Sequence, residues 1–265
     1  MPEDRVKAKK SYGQNFLNND GILEQISSLC GSSDRLVIEI GPGTGALTKK
    51  LSSKYDKVRS VELDKTLSDV LEKELCDCSN VEVIYEDFLI SDIEKLIGDW
   101  KGKISVCANI PYYITSQIVD KLMDNSYLFE NVVLLVQKEV ADKLCAETGS
   151  GDAVPLTYKV KHYSDIKKCL SVAPGNFTPP PKVYSSVIRM EIKKGMPAGY
   201  EEKLFKLIDA GFYQRRKKFV NSVCEYGFCD KETIIKALNN TGIDNDVRGE
   251  NLTLDQYIEI MRELT

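Results

Sequence analysis

One histidine, one tryptophan and no Cys-x-x-Cys pair occur in the 265 residues, and no apolar run approaches the roughly 18 residues of a membrane span. Each scarcity removes a class of function. The lone His162 argues against histidine-based catalytic triads and multi-histidine metal sites, and its simplest reading is a half-exposed strand residue. The eight cysteines are scattered, so reduced thiols are expected; Cys76 and Cys78 sit in a turn-like stretch with no further ligands nearby, and no metal is expected. The basic stretch from Met1 to Lys10 is followed by no apolar segment, so it reads as neither a secretory signal nor an anchor. A cytoplasmic protein with no membrane role is expected.

What is present is an ordinary globular composition, 42% hydrophobic and 29% charged. The formal net charge of -4 argues against coating bare nucleic acid by charge alone. Local patches remain: Arg5, Lys7, Lys9 and Lys10 form one, and Arg215, Arg216, Lys217 and Lys218 another. Each can meet a few phosphates, or can equally be a solvated face.

Short β-branched runs at 36–40, 58–61, 81–85, 104–108 and 132–136 alternate with helical spacing at 46–54, 66–75 and 115–123, and a helix begins over 138–145. That alternation predicts an α/β domain, a Rossmann-like parallel sheet with helices on both faces that binds ligands at the carboxyl ends of its strands. Two further strands are expected at 158–163 and 185–192, joined across the Pro-rich stretch 177–181. Past a Gly/Pro linker at 195–199 the pattern turns helical, at 200–213, 215–225, 231–239 and 254–264, with Thr253 capping the last. The expected division is therefore an α/β domain over 1–194 and a small all-α domain over 195–265.

The first strand runs into Gly41-Pro42-Gly43-Thr44-Gly45 and then a helix, a spacing unlike the dinucleotide GxGxxG. The second ends at Glu62, where an acid can take both hydroxyls of a ribose. The third is followed by Asp87 and Phe88, suited to an adenine amine and ring face. Any one of these is weak, but their order on three successive strands favours a nucleoside ligand without a phosphate cradle.

The fourth strand ends in Asn109-Ile110-Pro111-Tyr112, which resembles the amine-methylating tetrapeptide of nucleotide methyltransferases. An exocyclic amine is a poor nucleophile because its lone pair is delocalised. The Asn109 amide oxygen and the Ile110 carbonyl would accept its two hydrogens, Pro111 would fix the turn and Tyr112 would stack on the base. Beside a nucleoside site, this points to S-adenosylmethionine as cofactor, with S-adenosylhomocysteine as product.

Ser11-Tyr12-Gly13-Gln14-Asn15-Phe16-Leu17, the glycine run from Glu39, the Asn109 tetrapeptide and Phe177-Thr178-Pro179-Pro180-Pro181-Lys182-Val183 together resemble the KsgA family of small-subunit ribosomal RNA adenine dimethyltransferases. The resemblance covers nearly the whole chain and implies a class I methyltransferase fold. It implies that Asn15 and Leu17 close over the methionine end of the cofactor, that Gly41, with Gly43 in the same turn, lies against it, and that Glu62 and Asp87 hold its ribose and adenine. Asn109 would serve cofactor and target, while Tyr112 and Phe177 sandwich a flipped adenine. Read without the family, Phe177 is equally a core aromatic beside a Pro-rich turn, and Tyr112 a buried ring with a bonded hydroxyl. The resemblance also implies two methyl groups on each of two adjacent adenosines in a hairpin loop near the 3′ end of the RNA, within a pre-30S-like particle. Arg215, Arg216, Lys217 and Lys218 would dock that particle, and a monomer is expected. The rivals are a large-subunit adenine methylase, a non-catalytic RNA-binding factor on the same fold, and a nicotinamide-dependent dehydrogenase, the last opposed by the glycine spacing.

Overall fold

The computed structural model of the chain describes residues 14–194 and 201–265. The cluster Arg5, Lys7, Lys9 and Lys10, the motif residues Ser11, Tyr12 and Gly13, and the expected linker at 195–199 lie outside the described residues. The chain divides into two compact units, Met1–Ala141 with Asp165–Lys193, and Asp142–Ser164 with Lys194–Thr265. The segment 142–164, placed by its sequence in the larger domain, thus falls in the second unit.

The first unit is built on a seven-stranded sheet. Its strands are β2 (Arg35–Ile40), β3 (Lys57–Glu62), β4 (Val81–Tyr85), β5 (Lys103–Asn109), β6 (Asn131–Gln137), β7 (Ser164–Val172) and β9 (Ser185–Ile192), in the order β4-β3-β2-β5-β6-β9-β7. The pairs joining β4 through β6 are parallel, and β9 lies antiparallel to β6. Helices cover both faces, which is why the central strands are buried along nearly their whole length: all six residues of β2 are buried, as are the first six of β6. The connecting helices are α1 (Asp20–Ser28), α2 (Ala46–Ser52), α3 (Ser68–Glu74), α4 (Ile93–Ile97), α5 (Thr115–Asp124) and α6 (Lys138–Leu144). Separately, β1 (Phe16–Leu17) pairs antiparallel with β8 (Phe177–Thr178), setting Leu17 opposite Phe177.

Register does the positioning. Ile40 lies beside Val61 on one side and Ala108 on the other. The next residue along each strand is therefore Gly41, Glu62 or Asn109, three residues at one height along one edge of the sheet. The chain runs outward from β2 to β4 and then returns to β5 on the far side of β2, so this edge contains the crevice where strand order reverses.

In the second unit, α7 (Pro155–Tyr163), α8 (Glu201–Tyr213), α9 (Phe219–Tyr226), α10 (Lys231–Thr241) and α11 (Leu254–Glu263) bury Tyr158, Leu207, Phe219, Leu238, Tyr257 and Ile260 in one core. Each such side chain contributes roughly 1.5–3 kcal/mol. The Tyr158 hydroxyl donates to the Leu252 carbonyl at 2.7 Å, so this ring is both anchor and tie. Thr253 caps α11 reciprocally with Gln256.

Two sequence expectations change here. The segment 158–163 is helix, not strand: Pro155 opens α7 with its ring-fixed φ, and the strand begins only at Ser164. His162 is accordingly a buried helical residue, 3% exposed, edge-on to Tyr163 and Phe205. The helix expected from 215 starts at Phe219 instead. A tight turn, with the Lys217 N–H on the Gln214 carbonyl, breaks it from α8, and the Ser222 hydroxyl accepts from the Gln214 N–H while donating to the Ala210 carbonyl.

Candidate active site

At the end of β2 the glycine turn takes left-handed backbone angles that side chains oppose, φ +71° at Gly41 and +58° at Gly43. A Cβ on Gly43 would come within 2.9 Å of the Phe16 ring, whereas a Cβ on Gly41 would meet nothing within 4 Å. The open space at Gly41 belongs to a cleft of about 1150 Å³, its mouth included. Asn15, Leu17, Gly41, Gly43, Glu62, Asp87 and the whole of Asn109 to Tyr112 line it, as the sequence reading requires of a shared site. Phe177 and the basic cluster at 215–218 do not.

Glu62 is gripped at both oxygens. The Gly43 N–H donates to Oε2 at 3.1 Å and the Asp64 N–H to Oε1 at 2.8 Å, so the carboxylate is fixed while each oxygen keeps a further lone pair. It is 5% exposed, and burial pushes its carboxyl above the usual range. Asp87 is tied into the turn after β4, its Oδ1 accepting from the Leu89 N–H at 2.9 Å. Beside it Phe88 is buried and forms part of the cleft wall.

At the tip of β5 the Asn109 Nδ2 donates to the Asn15 carbonyl at 3.0 Å, which orients the amide and leaves Oδ1 as acceptor. The Ile110 N–H continues the ladder onto the Leu135 carbonyl at 3.3 Å. The Pro111 carbonyl accepts from the Ile114 N–H at 3.2 Å, closing the turn into α5. The Tyr112 hydroxyl shares a 2.7 Å bond with the Ser185 hydroxyl of β9, and burial pushes its phenol above the usual range. The bonded-hydroxyl reading of Tyr112 therefore holds alongside its place in the cleft wall. Phe177 is 3% exposed and belongs to the core cluster that contains Leu17, Leu135 and Val187.

Three residues carry a part that the sequence reading did not assign. Glu39 lines the cleft yet is 1% exposed; its Oε2 accepts from the Thr48 and Ser60 hydroxyls, both at 2.7 Å, while Oε1 has no hydrogen-bond partner. Burial, with the charge of Glu62 adding to it, pushes this carboxyl up to about 7. Its sequence signals were an acid within an apolar strand and its place at the head of the glycine run. Ser185, the partner of Tyr112, and Lys121, described below, carried none.

Among the described residues the cleft wall holds the acidic residues Glu39, Glu62, Glu86 and Asp87 and no lysine, arginine or histidine. Such a wall suits a cationic ligand and opposes a phosphate-rich one. In the second unit the expected basic surface is largely answered internally: Arg215 pairs with Glu250, Lys217 with Glu225 and Lys218 with Asp246. No ion pair of Arg216 is seen among the described residues. No helix is long and apolar enough to cross a membrane, and no described cluster of His, Cys, Asp and Glu could hold a metal ion.

Known proteins share this architecture. The family model for ribosomal RNA adenine dimethylase matches residues 5–265. Ribosomal RNA small subunit methyltransferase A of Oceanobacillus iheyensis is 37% identical over 260 residues, covering 95% of this chain and 88% of its own length. A dimethyladenosine transferase from Plasmodium falciparum superposes with a TM-score of 0.80 at 27% identity, covering 94% of this chain and 97% of that one. The 23S rRNA methyltransferase ErmE superposes at 0.73 and 24% identity over 94% and 99% of the two chains, a likeness of fold alone. The fold is that of class I methyltransferases, and with a match from residue 5 to residue 265, over a cleft assembled from the same strand ends that its sequence marks, the chain belongs to the ribosomal RNA adenine dimethylase family.

Proposed function

We propose that the cleft binds S-adenosylmethionine and that the protein dimethylates the exocyclic amines of two adjacent adenosines in a 3′-terminal hairpin loop of small-subunit ribosomal RNA. It does so on a pre-30S-like particle, as a cytoplasmic monomer. The observation that carries the cofactor is the acidic character of the cleft wall, four acidic side chains and no described cation, against a ligand whose sulfonium and ammonium outweigh its one carboxylate. The open face of Gly41 and the doubly held Glu62 fit the same group. Gly41 would lie against its methionine portion with Asn15 and Leu17 above, Glu62 would take its ribose hydroxyls, and Asp87 with Phe88 would take its adenine. When bound, S-adenosylmethionine supplies an electrophilic methyl carbon on a sulfonium, the leaving group being a neutral thioether.

The chain's own residues supply alignment. Asn109 Oδ1 and the Ile110 carbonyl accept the two hydrogens of the target amine and draw its nitrogen toward tetrahedral geometry, freeing the lone pair. The Tyr112 ring offers a face to the base. Phe177 faces the base from the other side once RNA binding uncovers its ring, and Arg216 meets a phosphate. No strong general base is required, because a newly methylated ammonium is acidic enough to lose its proton to solvent. A loop is a fitting substrate, since its bases are already partly unstacked and flipping one costs less than the few kcal/mol needed from a duplex. The test is to incubate the purified protein and methyl-labelled donor with under-methylated small-subunit particles and, separately, with large-subunit particles. Label in dimethyladenosine of the small-subunit RNA supports the reading, and label confined to the large-subunit RNA refutes it.

A further inference from the structure

Lys121 projects from α5 outside the cleft wall, yet it engages the turn that forms one end of that wall. Its Nζ donates to the Leu89 carbonyl at 3.0 Å and to the Ser91 carbonyl at 2.5 Å, and lies 5.3 Å from the centroid of the Phe88 ring. The turn is also bound from within: the Asp87 carbonyl accepts from the Ile90 and Ser91 N–H groups at 3.1 and 3.0 Å and from the Ser91 hydroxyl at 2.8 Å. Glu86, Asp87, Phe88 and Leu89 all line the cleft. Burial pushes the Lys121 ammonium below the usual lysine range, while Asp87, Asp92 and Glu86 act in the opposite sense. An ammonium has three donors in a compact head, and this one spends two on carbonyls while resting near an aromatic face.

We propose that Lys121 is a positioning residue for the nucleobase end of the cofactor site: its ammonium fixes the 87–91 turn so that the Phe88 ring and the Asp87 carboxylate meet an adenine in one arrangement. The proposal rests on reading the cleft as the S-adenosylmethionine site. A donor is needed because the turn presents two carbonyls to one point, and an apolar side chain there would leave both without this partner.

The test measures, on the full chain, calorimetric affinity for S-adenosylhomocysteine and for its inosine counterpart, which lacks the adenine amine, together with kcat and donor KM. Lys121→Met is expected to weaken S-adenosylhomocysteine binding about tenfold and to raise donor KM, with kcat at saturating donor within about twofold. The preference for adenine over hypoxanthine should narrow, and Lys121→Arg, which keeps donors for both carbonyls, should restore most of the affinity. Wild-type affinity and preference in Lys121→Met, or equal losses for both ligands without rescue by arginine, overturn the proposal. So does loss of folding in both Lys121→Met and Lys121→Gln, which would assign the tie to the core alone. A wild-type protein that binds neither ligand removes the cofactor reading itself, an outcome distinct from wild-type binding that all three variants share.

Discussion

The side-chain amide of Asn109 donates to the main-chain carbonyl of Asn15 at 3.0 Å, joining the tip of the fourth parallel strand to the segment that covers the glycine turn. One side chain thus ties that segment to the strand tip and leaves its oxygen available as an acceptor. Asn109→Ala should lower kcat for methyl transfer at least about a hundredfold, the scale seen when one preorganised hydrogen-bonding group is removed from a transition state. Donor affinity should fall far less. Near-normal turnover in a single-turnover assay would refute the role.

Glu62→Ala should weaken donor binding by about 1.5–3 kcal/mol for each charge-assisted hydrogen bond lost to the ribose. Titration calorimetry with S-adenosylhomocysteine reads this directly. Unchanged affinity would take Glu62 out of the site.

Glu39 makes stability depend on pH. Its folded-state value of about 7 lies above the ordinary 4.5, so the fold favours the neutral acid. That contribution is complete below about pH 4.5 and is lost as pH rises through about 7, on the order of 3 kcal/mol in all. Glu39→Gln removes the titration but leaves an oxygen for Thr48 and Ser60. The thermal midpoint of the variant minus that of the parent should therefore become more positive between pH 5 and pH 8. A difference flat in pH would show that Glu39 does not titrate in this window.

Because Arg215, Lys217 and Lys218 are each paired with a carboxylate, Arg216 is expected to carry most of the cluster's phosphate contact. Arg216→Ala should reduce the salt slope of RNA-particle binding by about one, while single alanines at the three paired positions change it less. Equal effects at all four positions would show that the pairs open on binding.

The Tyr112 hydroxyl is spent on Ser185, so only the ring is left for a base. Tyr112→Phe should keep most of the activity and cost about 1 kcal/mol of stability. Tyr112→Ala should lose transfer. If Phe and Ala variants are equally impaired in kcat/KM for RNA, stacking is not what the ring does.

The strand ends were legible because parallel strands covered on both faces read as continuous β-branched runs, and because polar residues just past such runs stand out: Gly41, Glu62, Asp87 and Asn109 all fell in one cleft. The stretch from Tyr158 to Tyr163 misled because Tyr-Lys-Val-Lys-His-Tyr alternates with a period of two, while Pro155 and burial in the helical unit decide for helix. Lys121 and Ser185 could not be read at all. Their partners lie 32, 30 and 73 positions away along the chain, and nothing local marks a lysine that ties down a turn or a serine that holds a phenol. Glu39 was visible as an acid in an apolar strand, but its raised pKa comes from burial that only the packed sheet supplies.

The central claim is that the acceptor at the fourth strand's tip holds adenine amines of small-subunit RNA for methyl transfer. Mass spectrometry of that RNA from cells lacking the protein tests it most directly. Two adjacent dimethyladenosines near the 3′ end should be missing, returned by the wild-type gene and not by Asn109→Ala. Dimethyladenosines that persist without the protein, or that return with the Asn109→Ala variant, would contradict the account.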